Sequence, residues 1–129
     1  TDSGCTFFAG GISADNSGCT FIDCLNTGTL THSSDGYGNG IGYIYSSNLY
    51  INCYTVSGRI TDVITKVNTG MLSSGEIAHS LRTYFGQTLG EDTHPVALTA
   101  NNRVYKVTVA GEANGVYYTN YGKTVSLPE

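Results

Sequence analysis

Charge is what this chain has least of. Only 12% of its 129 residues are Asp, Glu, Lys or Arg, and the net charge is −4. Six Lys and Arg set against ten Asp and Glu make no basic field to hold a phosphate backbone, so nucleic acid is not an expected partner. No apolar run approaches the roughly 18 residues that cross a bilayer, which removes membrane insertion from the expected behaviours. There is neither a C-x-x-C nor a pair of closely spaced histidines, so no metal site and no cofactor are expected. Nothing around a serine resembles a nucleophile elbow, so a Ser/His/Asp triad has no local context. No initiator Met or signal sequence is visible, and the chain reads as a mature or excised piece of an exported protein.

What is abundant is glycine, tyrosine and hydroxyl. Seventeen Gly and ten Tyr, with no Trp and one Met, describe a β-rich chain kept in solution by hydroxyls and amides. The organising feature is a repeat. Gly11-Ile12-Ser13-Ala14-Asp15-Asn16-Ser17-Gly18-Cys19-Thr20-Phe21-Ile22-Asp23-Cys24 returns without a gap as Gly40-Ile41-Gly42-Tyr43-Ile44-Tyr45-Ser46-Ser47-Asn48-Leu49-Tyr50-Ile51-Asn52-Cys53. A period of this length, built from short β-prone pieces and glycine turns, predicts a solenoid whose coils stack their apolar sides. Ile12, Ile22, Ile41, Ile51 and two cysteines are the predicted interior.

Four cysteines fit an oxidising compartment. Strand alternation puts Ile22 and Cys24 on one face with Ile51 and Cys53, and Cys19 on the other. Cys24 and Cys53 are then neighbours, as adjacent thiols or as a disulfide. Cys5 and Cys19 share the context Ser-Gly-Cys-Thr-Phe and suit an external clasp, and three connectivities stay open. The same alternation places Tyr50 and Tyr54 outward with Asn52. Together with Tyr43, Tyr45 and the neighbouring Phe21 they form an aromatic and amide strip, suited to sugar or protein contacts if it is not covered by the C-terminal half.

After Gly70 the period ends. Ser73 and Glu76 make a capping box, with Ile77, Ala78, Leu81, Tyr84 and Phe85 as the apolar side of one helix stopped by Gly86. Ser80, Thr83, His79 and Arg82 face water in this reading, and the helix caps the open end of the solenoid. Residues 103–109 and 116–121, joined through Asn114-Gly115, predict a β-hairpin, with residues 124–127 able to add a strand. Asp35-Gly36-Tyr37-Gly38-Asn39 reads as turn chemistry rather than a calcium loop, because it lacks the acids such a loop needs. Glu91, Asp92 and His94 are the densest polar cluster, with His94 read as a loop hydrogen-bonder.

The segments Gly-Gly-Ile-Ser…Ile-Asp-Cys-Leu-Asn-Thr-Gly-Thr-Leu and Gly-Ile-Gly-Tyr…Ile-Asn-Cys-Tyr-Thr-Val-Ser-Gly-Arg-Ile resemble the GLUG repeat, which occurs in tandem in bacterial surface proteins including adhesins. The resemblance covers about half of the chain and brings no catalytic residues with it. Residues 74–96 resemble a segment of the form G-E-x-A…F/W-G-Q-x-x-G-x-D-x-x-P that often follows such repeats. It carries no assigned chemistry.

These readings converge on a mainly β chain: a right-handed parallel β-helix of about two coils over residues 1–69, followed by a capping module over residues 70–129. The expected function is that of a non-catalytic module on the bacterial cell surface, an adhesive unit or stalk recognising host or neighbour-cell glycans or proteins. The alternatives are a subunit of an extracellular filament, joined by end-to-end stacking or strand donation as a homo-oligomer, and a polysaccharide-active β-helix enzyme.

Overall fold

The computed structural model describes residues 8–13, 17–30, 37–42, 47–58, 62–111 and 115–125. The chain divides into two compact units, Thr1–Val67 and Asn68–Glu129.

In the N-terminal unit the strands are very short: β1 (Phe8–Gly10), β2 (Thr20–Ile22), β3 (Leu25–Asn26), β4 (Tyr37–Asn39), β5 (Leu49–Ile51), β6 (Tyr54–Thr55) and β7 (Thr65–Lys66). They pair in parallel as β1 with β4, β2 with β5, and β3 with β6 and then β7. The register follows the sequence repeat: Phe21 lies opposite Tyr50, Ile22 opposite Ile51, and Leu25 opposite Tyr54. Side chains of the second repeat also bind backbone donors of the first. Ser47 Oγ accepts from Gly18 N at 3.1 Å, Asn48 Oδ1 accepts from Cys19 N at 2.9 Å, and Ser57 Oγ accepts from Leu30 N at 2.8 Å.

The predicted β-helix is not what forms. The described strands make five separate sheets of two or three strands, two of them antiparallel, and no solenoid is seen among the described residues. With only two or three residues per strand before each turn, the pairing stays local and no continuous flat faces develop. The assignment of the second half as a cap for the solenoid's open end falls with it.

The predicted interior is also corrected. The apolar cluster of this unit is Ile41, Cys53 and Ile64, with Phe21, Cys24 and Tyr50 packed against it. Ile12, Ile22 and Ile51 are instead 53%, 54% and 44% exposed. For Ile22 and Ile51 the cause is a backbone corner. Asp23 and Asn52 adopt φ of 53° and 54°, a left-handed conformation that short polar Asx side chains tolerate better than most. Each corner resets the alternation by one residue. Phe21 and Tyr50 therefore face inward before it, and Cys24 and Cys53 face inward after it. The repeat glycines have a steric reason as well: a Cβ on Gly40 would overlap the Thr55 side chain, and one on Gly11 would overlap Asn26 and the Gly40 carbonyl.

The C-terminal unit contains α1 (Thr69–Ser74), α2 (Glu76–Ser80), β8 (Phe85–Gly86), β9 (Val96–Ala97), β10 (Val104–Val109) and β11 (Gly115–Asn120). The predicted helix shortens to α2, and an additional short helix, α1, precedes it. Gly75, at φ 91°, ends α1 and starts α2, and Asn68 rather than Ser73 caps α1, its Oδ1 accepting from Met71 N at 2.9 Å. Phe85 and Gly86 leave the helix to pair antiparallel with β9, which exposes Tyr84. The β10–β11 hairpin forms in the order expected, Val104 opposite Asn120 and Lys106 opposite Tyr118. Residues 124 and 125 add no strand, and the Asn114 turn lies outside the described residues. Leu72, Ile77, Ala78, Leu81 and Val104 are buried apolar residues of this unit.

Candidate functional site

Three places concentrate side chains that could act on something else. The first is the β2–β5 sheet and the corner that follows it. With Phe21 and Tyr50 turned inward as parallel rings 4.9 Å apart and 6° from coplanar, Thr20, Ile22, Leu49 and Ile51 are left on the outer face. Leu49 is 54% exposed, like Ile22 across the sheet. Beside this face runs a polar chain: Tyr54 Oη donates to Asn52 Oδ1 at 2.6 Å, and Asn52 Nδ2 donates to Asp23 Oδ1 at 2.7 Å.

Of the predicted binding residues, the structure thus brings Asn52 and Tyr54 together and places Tyr50 on the other side of the strand. Tyr43 and Tyr45 lie outside the described residues. Burial raises the Tyr50 pKa above its ordinary value of 10.0, partly offset by a hydrogen bond with Asn48, so its hydroxyl stays protonated at neutral pH. The apolar character of the outer face comes from Ile22, Leu49 and Ile51. Strict alternation assigns the two isoleucines to the core, and the corners at Asp23 and Asn52 turn them out.

Cys19, Cys24 and Cys53 are free thiols, and Cys5 lies outside the described residues. Cys24 Sγ donates to the Ile22 carbonyl at 3.4 Å, and Cys53 Sγ lies 3.4 Å from both the Phe21 and the Ile51 carbonyl oxygens. Burial pushes the Cys53 thiol pKa up from 9.0, which lowers its thiolate fraction and its reactivity. These two cysteines act as core residues.

The second place is the segment Gly86–Asn102 with Asn120, which holds the motif-like stretch. Gln87 is fully buried; its Nε2 donates to the Ser73 carbonyl at 3.2 Å and to the Asp92 carbonyl at 3.1 Å. Its own carbonyl accepts from Asn120 Nδ2 at 2.8 Å, while its N–H donates to the Asn102 carbonyl at 2.7 Å. Asp92 Oδ2 accepts from Thr88 N at 2.7 Å, closing the loop. Gly86 is required because a Cβ would run into Asn102. His94 Nδ1 donates to the Pro95 carbonyl at 2.8 Å, the loop role expected of it. The polar groups of this stretch bind the chain's own backbone, so the segment is a structural hub. Gln87 Oε1 alone, among the described buried side-chain atoms, has no hydrogen-bond partner.

The third place is the polar end of α2 against the hairpin. The His79 ring lies 5.8 Å from that of Tyr118 at a 50° tilt. Arg82 Nη1 donates to the His79 carbonyl at 3.1 Å, and Arg103 Nη1 donates to the Arg82 carbonyl at 3.2 Å. Lys106, paired with Tyr118 across the hairpin, and Arg82 both act electrostatically on His79. Burial first, then those two cations, hold the His79 pKa below 6.5, so the ring is neutral at pH 7. Burial, with a smaller contribution from Glu76, raises the Tyr118 pKa. The sequence placed His79 and Arg82 on a solvated helix face. It gave no sign that strand residues Lys106 and Tyr118 would join them, because that meeting is a product of tertiary packing.

Among the described residues no group of three or more His, Cys, Asp and Glu is arranged to hold a metal ion, and no helix is long and apolar enough to cross a membrane. No protein-family model matches the sequence, and neither a curated protein nor a solved structure shows significant similarity to it.

Proposed function

We propose that this chain is a non-catalytic, extracellular module of a bacterial surface protein, an adhesive or stalk unit that recognises glycans or proteins. The observation that carries the proposal is the outer face of the β2–β5 sheet, where Ile22, Leu49 and Ile51 stand exposed beside the Asp23–Asn52–Tyr54 chain. Apolar side chains held on a sheet and flanked by fixed polar groups are the composition of a recognition surface. The resemblance of residues 11–24 and 40–53 to GLUG repeats, and the sparse charge, point to the same setting. Two acids near neighbouring polar groups are already committed to structure, Asp23 to Asn52 and Asp92 to Thr88, which supports binding over acid–base chemistry.

Retention of the purified chain on immobilised glycans and cell-surface proteins tests this. The reading expects a monomer that is retained, and loses retention when Leu49→Ser and Ile51→Ser are combined. Particles that grow with protein concentration would favour a filament subunit, and release of reducing sugar from a polysaccharide would make the chain an enzyme.

A further inference from the structure

We propose that the C-terminal unit carries a separate site for an acidic glycan, in which Arg82 and Lys106 hold a sugar carboxylate beside the His79 and Tyr118 rings. The inference takes from the preceding section that the partner is a glycan, but it uses none of the same residues.

Charge placement carries the argument. The chain has six Lys and Arg in all and a net charge of −4. Two of those six, Arg82 and Arg103, are joined at the end of α2, and a third, Lys106, lies opposite Tyr118, whose ring contacts His79. Each guanidinium spends one N–H on a helix-end carbonyl, Arg82 on His79 and Arg103 on Arg82, which fixes its position and leaves further donors of its fork free. Arg82, Arg103 and Lys106 are exposed, while His79 and Tyr118 are half-buried, their rings 5.8 Å apart and Tyr118 paired with Lys106 across the hairpin. The arrangement offers an anion two kinds of cationic donor beside two flat rings, the combination that grips a carboxylate and packs a sugar ring.

The size of the patch selects the ligand. A dense polyphosphate would meet the repulsion of the whole acidic chain, whereas one carboxylate per sugar is matched by a few local cations within about 8 Å at physiological salt. Titration of His79 sharpens the expectation. The groups acting on it are Arg82 from the helix end, Lys106 from β10 and the Tyr118 ring from β11, while Glu76 acts on Tyr118. The ring is neutral at pH 7, and a carboxylate bound beside it favours its protonation. Affinity should therefore rise as pH falls from neutrality toward about 5.5, where uronates remain ionised.

The test uses the full chain and a short oligomer of galacturonic acid on a biosensor, with a galactose oligomer of equal length as the neutral control. The uronate is expected to bind and the neutral oligomer not to. Lys106→Ala and Arg82→Ala should each weaken binding about tenfold, the loss of one charge-assisted hydrogen bond. His79→Gln should weaken binding a few-fold at pH 7, through the lost ring, and abolish the further gain on acidification. Leu49→Ser with Ile51→Ser should leave uronate binding unchanged, which separates this site from the β2–β5 face. Equal binding of both oligomers, no binding of the uronate, or full affinity in a Lys106→Ala protein with an unchanged melting temperature would overturn the proposal. So would capture of an acidic peptide in place of the uronate.

Discussion

The two units hold themselves together in opposite ways. The N-terminal unit lays like upon like: Phe21 on Tyr50, Ile22 on Ile51, Asp23 on Asn52, each pair one ladder step apart. The C-terminal unit sinks three amides, Gln87, Asn102 and Asn120, into its interior and has each bind backbone, Gln87 and Asn120 from distant segments and Asn102 within its own loop. A ladder distributes its stability over many similar steps. A hub concentrates it, because every missing amide strands several buried groups at once.

The sharpest way to break this comparison is at the hub. Asn120 Oδ1 accepts from Leu89 N, and its Nδ2 donates to the Gln87 and Arg103 carbonyls. Asn120→Ala removes all three bonds and should cost about 3 kcal/mol or more, read as the loss of the C-terminal unit's unfolding transition in urea. Phe21→Ala, the largest single truncation in the ladder, should cost less, about 2 kcal/mol, because the ring is only half-buried and the fully buried case costs about 3–5 kcal/mol. Asn52→Ala should cost about 1–2 kcal/mol through the lost Asp23 bond and the left-handed backbone, whereas Asn52→Gly relieves the backbone and should cost less than the alanine, a difference readable by thermal melts.

The smallest effect concerns pH. The folded-state pKa of His79 lies below its unfolded value, so the unfolded chain binds the proton more readily. Its contribution to stability is present above pH 6.5 and is lost as pH falls below that value through the folded pKa. The melting temperature of the C-terminal unit should decline over that window, less steeply in His79→Gln, and the N-terminal unit should show no such dependence on His79.

How much of this was legible follows from the same contrast. A ladder is a repeat in space, so Gly11–Cys24 and Gly40–Cys53 announce in sequence which residues pair. They do not announce the two left-handed corners at Asp23 and Asn52, since an Asx reads the same in a strand end, a turn or a corner. Strict alternation across that point sent Ile22 and Ile51 inward and Tyr50 outward, the reverse of what forms. The helix start shifts for an equally local reason: Gly75 adopts φ 91° and begins α2 there, while Asn68 caps a separate α1 upstream. The amide hub was the least visible, because buried Asn and Gln carry the same letters as those on the surface. The cluster of His79, Arg82, Lys106 and Tyr118 needed the hairpin folded back on α2 before it existed at all.

Every cysteine of the chain lies in the first 53 residues, and Cys53 is sealed while Cys24 beside it is half open. An alkylating reagent therefore meets a built-in clock. The delay between labelling at Cys24 and labelling at Cys53 times how often the stacked pairs part, and it does so without any signal from the thiol-free half of the molecule.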